Sequence, residues 1–326
     1  MAAFAVLCVA SSCDNDSVDG PGTGGFDTSK YPANAVYVDY DGSNVVASRI
    51  GDAMLFYNSD GFCTRIADAL SVFYDRGLMV IYGDVLAKFS LDARGYVTGL
   101  DITNSYVSET HVACDEATSV RVTYDASGYI MRMTMDGVRN LKSLEFDVEG
   151  REDFSGMMTF RWDNGKLLGV ESEMHGNRMD GEFSYKSDFT VKGSGLPNKL
   201  GQYTVAYADF FDATVGLPAL VGFYGKAPSE FIESVVETYD DHGVSTTDRG
   251  TEQTDYRYEF YQSGTVSTEF VSWRDYVDLG FEYRYETLTD PMPLPGGRVE
   301  GLSNRRPAGR HGFGPYSLER RHSGRR

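Results

Sequence analysis

Between about residues 31 and 285 the chain alternates apolar and polar positions in short runs, and turn residues break the runs at regular intervals. The segments "VDYDGSNVV", "LFYNSDGFCTRI", "VFYDRGLMVI" and "FSLDARGYVTGL" set Asp41, Asn58, Asp75 and Asp92 at even spacings of 17 residues. "VTYDASGYIMRM" repeats the theme at Asp125, "FRWDNGKLLGV" at Asp163, and "YEFYQSGTVSTEF" is a looser copy around Gly264. The shared form is aromatic-x-aromatic, Asp or Asn, one or two residues, Gly, then a second apolar run. An Asp or Asn side chain caps a turn, and the closing Gly takes a positive φ that a branched residue resists. The pattern therefore predicts β-hairpins closed by a type I turn with a bulge. Tyr, Phe, Trp and Val in the flanks suit a pleated, half-buried surface.

Units this small cannot bury a face alone, so they must stack. The expectation is an all-β antiparallel meander that forms one long curved sheet or a barrel, closure being the way to remove exposed edges. Residues Cys63, Met79, Val97 and Ile130 occupy the slot two after the turn glycines, which marks them as core positions. The style changes at "GLPNKLGQYTVAYADFF" and "GLPALVGFYGKAPSEFIESVVETYDDHG". Here "PSEFIESVVETY" reads as one short helix started by Pro228 and Ser229, giving a helix/loop segment near 217–238. The stretch from 198 to 240 is expected to cover an end or one face of the sheet.

Composition supports a buried core. Apolar residues make up 41% and aromatics 13% of 326 residues, which excludes wholesale disorder. The formal charge of −18 argues against a nucleic-acid partner, which calls for a basic face. No apolar run approaches the roughly 20 residues of a membrane helix. Charge is unevenly spread: residues 298–326 hold eight arginines and two acids. Residues 291–326 read as a disordered Arg-rich tail, as a stretch of non-native coding sequence, or as a basic arm for nucleic acid or anionic lipid.

The front of the chain raises a question of address. "AAFAVLCVA" is similar to the apolar core of a secretory signal, and "ASSC" at 10–13 resembles a bacterial lipobox. In such a box the signal is cut before Cys, and its thiol forms the thioether to diacylglycerol. Ala10 stands where an aliphatic residue is usual, and no positive n-region precedes the apolar run, which reads as a signal truncated at its start. An N-terminal strand with a buried Cys is the alternative, but Asp14 to Lys30 are rich in Gly, Asp, Ser and Thr, like a flexible tether. The expected division is therefore a signal peptide at 1–12, lipidated Cys13 with a tether at 13–30, and one β-repeat domain at 31–290. Asp14, Asp16 and Asp19 lack the D-x-D-x-D-G spacing of a calcium loop and have no Glu at its twelfth position. Acids directly after such a Cys resemble the export signal of surface lipoproteins in Bacteroides-type bacteria. Cys63 and Cys114 would remain in the mature chain, and that compartment permits a disulfide between them.

Candidate chemistry is sparse. His111, His175 and His242 are far apart in polar, turn-like surroundings, which suits solvated loop residues better than ligands. No nucleophile elbow, phosphate loop or cysteine metal motif is present, so no catalytic, cofactor or metal residues are assigned. Glycosidases use two carboxylates, and a chain this rich in acids supplies such pairs by chance. Tyr256, Tyr258 and Tyr261 offer faces that stack on sugars, although core packing accounts for at least half of such residues.

The Tyr-Asp pairs Tyr40-Asp41, Tyr74-Asp75 and Tyr124-Asp125 resemble YD-type repeats. With "LPALVGFYGKAPSEFI", the "YRYEF" strand and the lipobox, residues 30–285 resemble a Bacteroidales lipoprotein family of unknown function, most specifically over Leu217 to Ile232. The resemblance implies a lipid-anchored protein of the outer membrane, exposed at the cell surface. It carries no catalytic residues with it. The Arg-rich tail departs from the family pattern, in which a strand pairing with "FEYRYETL" is expected. The expected function is a binding or scaffold module, with the membrane as partner through its lipid and a glycan or envelope protein as candidate ligand. The alternatives are a glycan-active envelope hydrolase with loop-borne carboxylates and a purely structural envelope component.

Overall fold

The computed structural model describes residues 37–287, apart from short stretches between elements (41–42, 51–52, 58–62, 67–69, 74–77, 83–84, 108–110, 145–148, 212–218, 221, 244–246, 263 and 275). The signal at 1–12, Cys13, the tether and the Arg-rich tail lie outside the described residues. The strands are β1 (Tyr37–Tyr40), β2 (Ser43–Ile50), β3 (Ala53–Tyr57), β4 (Cys63–Ile66), β5 (Leu70–Phe73), β6 (Leu78–Tyr82), β7 (Val85–Leu91), β8 (Val97–Val107), β9 (Val112–Tyr124), β10 (Ile130–Ser143), β11 (Glu149–Asp163), β12 (Lys166–Arg178), β13 (Gly181–Pro197), β14 (Glu230–His242), β15 (Thr247–Phe260), β16 (Val266–Trp273) and β17 (Tyr276–Thr287). A short helix, α1 (Val205–Ala208), lies between β13 and β14.

Each strand from β2 onward pairs antiparallel with the next, and β17 returns to β2 with Tyr283 opposite Ile50 and Thr287 opposite Val45. The meander therefore closes into a barrel, and β1 adds to the start of β2 on the side away from β17. Closure gives the strands β2–β17 two neighbours each, which removes the edges that an open sheet would expose.

At Asp92 and Asp125 the Asp–Gly turns form as the sequence predicts, and the copies at Asp41, Asn58 and Asp75 lie outside the described residues. Asp92 takes N–H groups of Arg94 (2.8 Å) and Tyr96 (3.1 Å) on its carboxylate, and Gly95 closes the turn at φ 83°. Asp125 holds the Tyr129 N–H (2.8 Å), and Gly128 sits at φ 96°. Tyr261 takes the place of Asp in the copy closed by Gly264, where its carbonyl accepts the Gly264 N–H at 2.9 Å. The Asp163 copy differs: Asn164 (φ 49°) and Gly165 (φ 81°) form a two-residue turn of type I′ instead of a bulged type I turn. Alternate connections of a meander share one end of the barrel, so all of these turns crowd the same rim. Gly128→Ala is expected to cost about 1–2 kcal/mol, because the left-handed backbone strains any Cβ and this one would meet the Tyr96 ring at 3.0 Å. A shift of the urea midpoint measures it.

Strand β14 corrects the sequence reading of residues 228–239 as a helix. Its register with β13 shifts between Lys192 and Gly193, which interrupts the two-residue alternation and makes Phe231, Ile232, Val235 and Val236 look helically spaced. The β-branched residues there and the waiting partners β13 and β15 favour the strand. Among the described residues, helical backbone lies upstream of this stretch, in α1, a single turn, and at Ala219.

Burial alternates residue by residue along β9 and β13. In β9, Cys114, Glu116, Thr118, Val120 and Val122 are buried while Asp115, Ala117, Ser119, Arg121 and Thr123 are exposed. In β13, Phe183, Tyr185, Ser187, Phe189 and Val191 are buried, against Glu182, Ser184, Lys186, Asp188, Thr190 and Lys192 on the other face. The buried face is the lumen, because residues 198–211 and 222–229 reach it on strands from β7 to β15. Phe223 packs on Phe89 of β7 and takes the Val97 N–H of β8 on its carbonyl. Phe211 stacks on Phe160 of β11, Phe210 meets Phe189 of β13 edge-on, and Asp209 accepts from the Tyr256 hydroxyl of β15. Only a segment inside the ring touches all of these strands. It fills the lumen near the turn-rich rim, where the Lys226 and Ser229 N–H groups donate to Gly128 and Gly165 carbonyls.

Cys114 on β9 carries a thiol that donates to the Val112 carbonyl at 3.6 Å and forms no disulfide. The Cys63–Cys114 bridge that the compartment would permit is therefore not made.

Candidate functional site

Two places in the barrel gather polar chemistry. The first holds the lumenal segment in position. Glu269 on β16 is fully buried and faces the lumen, where its two oxygens accept the N–H groups of Val205 and Ala206, each at 2.8 Å. The Tyr283 hydroxyl of β17 donates to the same carboxylate. The first turn of α1 thus anchors its otherwise unpaired N–H groups on a strand of the wall. Burial pushes the Glu269 carboxyl up, against the pull of these three donors, to about 7. Tyr258 and Tyr283 are raised well above the usual range, burial again being the main cause.

Other acids also face inward. Glu237 accepts from Tyr185 (2.6 Å) and from Ser187, and Arg139 lies between Glu116 (3.2 Å) and Glu152 (3.3 Å). Buried charges persist where they are paired and hydrogen-bonded. The sequence does carry a signal for them that counting acids misses. Glu116, Glu237 and Glu269 fall in the apolar phase of their strands, where an acid has to find partners in the wall.

The second place lies on the outer face. Across β8–β12 one row of outward positions reads Asp101, Ser119, Asp136, Ser155 and His175, each directly opposite the next. The Ser119 hydroxyl donates to Asp101 (2.7 Å), and Ser155 Oγ lies 2.9 Å from His175 Nε2. A parallel row reads Thr103, Ala117, Val138, Asp153 and Asn177. Between the rows runs a groove of about 650 Å³. Its floor has a reason in the lumen behind it. A Cβ at Gly137 would come within 2.1 Å of the Phe154 ring, and one at Gly176 within 2.2 Å of the Asp153 carbonyl. Glycine at 137 lets the Phe154 ring lie against the wall from inside, and glycine at 176 admits the Asp153 carbonyl and the Phe183 ring.

Ser155 and His175 look like a nucleophile and base, but the surroundings do not complete such a site. Strand β11 is hydrogen-bonded on both sides at Ser155, so its flanking N–H groups are engaged in the ladder and are not turned to an oxyanion. Among the described residues no carboxylate orients the other nitrogen of His175. His175 and His242 lie on strands, not in the turn-like settings the sequence suggests, and Ser184 separates them in register. His242 meets Asp240 at 2.9 Å, and His111 sits in a turn at φ 56°. Of the tyrosines with candidate sugar-stacking faces, Tyr256 is buried in the lumen and Tyr258 packs on Phe231 there (5.0 Å). Tyr261 is partly exposed, with its hydroxyl on the Tyr283 carbonyl and its ring edge-on to Tyr285. Among the described residues no group of three or more His, Cys, Asp or Glu could hold a metal ion.

No family model matches the sequence, and no curated protein matches it. Among solved structures, the chain is similar to a porin-like protein from Bacteroides vulgatus ATCC 8482, with a TM-score of 0.50, 11% identity, and coverage of 74% of this chain and 98% of that one. It is also similar to a porin-like protein from Bacteroides uniformis ATCC 8492, with a TM-score of 0.48, 13% identity, and coverage of 80% and 100%. The first likeness shows a shared β fold.

Proposed function

We propose that this protein is a lipid-tethered barrel of the outer membrane that faces water at the cell surface and serves as a binding or scaffold module. The observation that carries the reading is the polarity of the wall. A barrel that spans a bilayer wears an apolar band about 25 Å tall on its outside. Here the outward positions of β9–β15 carry residues such as Arg121, Arg132, Arg161, Glu173, Lys186 and Arg249, while Phe, Met, Val and Tyr line the lumen. An outward Arg or Lys at a bilayer midplane costs roughly 2–4 kcal/mol, so a wall this charged belongs in water. Residues 198–211 and 222–229 pack into the lumen, which suits a body that presents surfaces and does not conduct.

Such a body needs another means of attachment to an envelope. The lipobox-like "ASSC" followed by an Asp- and Gly-rich stretch supplies one, and the Bacteroides source of the porin-like neighbour fits that setting. The acids after Cys13 support export to the surface.

Radiolabelled palmitate is expected to enter the wild-type protein in cells and not the Cys13→Ala variant. In planar bilayers the purified protein is expected to give no conductance steps. Equal labelling of both proteins would overturn the anchor, and stepwise conductance would overturn the water-facing barrel.

A further inference from the structure

We propose that the outer groove across β8–β12 binds a linear, polyhydroxylated chain, that is, an oligosaccharide. The inference rests on reading the barrel as a binding module and gives that module a face and a ligand class.

The chemistry of the lining selects the class. No Lys or Arg lines the groove, and three aspartates do, which disfavours nucleic acid, phosphorylated headgroups and acidic peptides. Its polar side chains stand among apolar surface from Ala117, Val138 and the glycine floor, the mixture that the hydroxyls and C–H faces of a sugar ring meet. A peptide added as a strand needs a free sheet edge, and the strands β2–β17 are paired on both sides. Polyhydroxylated and cationic ligands remain, and the donors and acceptors distinguish them.

A cation only donates, whereas sugar hydroxyls donate and accept. The groove presents both kinds of group. Ser155 and His175 form a hydroxyl–imidazole pair, and Asn177 adds an amide. Of the three carboxylates, Asp101 already accepts from Ser119, and Asp153 from Arg151 at 3.1 Å. Asp136 stands between Ser119 and Ser155 in the row and takes no hydrogen bond or ion pair among the described residues. One open acceptor among mixed partners fits a polyol better than a polycation.

The shape agrees. Neighbouring strands lie about 4.8 Å apart, so five strands span about 19 Å across the groove. That length suits several sugar rings laid perpendicular to the strands, each meeting the polar residue of the next strand. Beside the groove the wall also carries paired charges: Arg161 pairs with Asp188 and Glu171, and Lys192 with Glu233, so those opposite charges satisfy one another.

Calorimetry of the full chain against linear β-linked hexasaccharides of glucose, mannose, xylose and N-acetylglucosamine, with hexalysine as the cationic probe, tests the proposal. At least one hexasaccharide is expected to bind. Asp136→Asn should weaken it about tenfold, and Ala117→Trp, which fills the groove from its exposed bank, should abolish binding with the melting temperature unchanged. Binding that neither variant alters would place the glycan elsewhere and overturn the groove while leaving the binding-module reading intact. Tighter binding of hexalysine, lost in Asp136→Asn, would overturn the polyol assignment in favour of a cation. No binding of any hexasaccharide would overturn the groove, while palmitate incorporation and conductance judge the tethered barrel separately.

Discussion

Replacing Glu269 with alanine is expected to lower the unfolding free energy by roughly 3–5 kcal/mol, as read from urea denaturation. The carboxylate is the acceptor for the Val205 and Ala206 N–H groups and for the Tyr283 hydroxyl, and it is fully buried. Each buried donor left without a partner costs about 1–3 kcal/mol, partly recovered where water enters the vacated space. The loss should appear as early release of residues 198–229, seen as faster hydrogen exchange at Val205 and Ala206 than in the strands.

The same carboxylate sets a pH dependence. Burial raises it from 4.5 to about 7, so the folded state holds a proton that the unfolded chain has released between those values. Its contribution is therefore fully present below about pH 4.5 and is lost as pH rises through about 7. At one pKa unit per about 1.4 kcal/mol the swing is on the order of 3 kcal/mol. Glu269→Gln keeps an oxygen acceptor and cannot titrate. The fall in stability from pH 5 to pH 8 should thus be steeper in the wild type than in this variant. Parallel profiles would mean that Glu269 titrates as an ordinary carboxylate.

Phe211→Ala is the other large effect, expected at about 3–5 kcal/mol. The ring sits where the lumenal segment meets the wall, stacked at 5.0 Å on Tyr224 and 5.8 Å on Phe160, with the edge of Tyr207 at 5.5 Å. Truncation opens a cavity bounded by aromatic rings that β11 and α1 hold in place, so little collapse relieves it. Leu168→Ala on the outer face is the matched control, since Leu168 is 47% exposed and should change stability by less than about 0.5 kcal/mol. Similar midpoints for the two variants would mean that residues 198–229 add little to the core.

Part of the site is legible in the amino-acid pattern. An acid in the apolar phase of a strand marks Glu269 as a residue with partners in the wall, although no sequence rule names Val205 and Ala206 as those partners. The groove is not legible there. Asp136, Ser155 and His175 are far apart in the chain and become neighbours only through the registers of β10, β11 and β12. The helix expected at 228–239 fails for a related reason: one register shift in β14 mimics helical spacing, and pairing with β13 and β15 decides the matter.

The sequence by itself determined what depends on neighbours along the chain. Two-residue alternation and the Asp–Gly turns specify antiparallel hairpins, because the turn from Asp125 to Tyr129 closes through bonds across four residues. Tertiary structure decided everything that joins distant residues. Closure sets Val45 against Thr287, and it alone makes one face of each strand a lumen and the other a wall. Once closed, the ring leaves an interior that its own side chains do not fill, and residues 198–229 enter it because burying Tyr207, Phe211 and Tyr224 there removes more apolar surface from water than covering an end would.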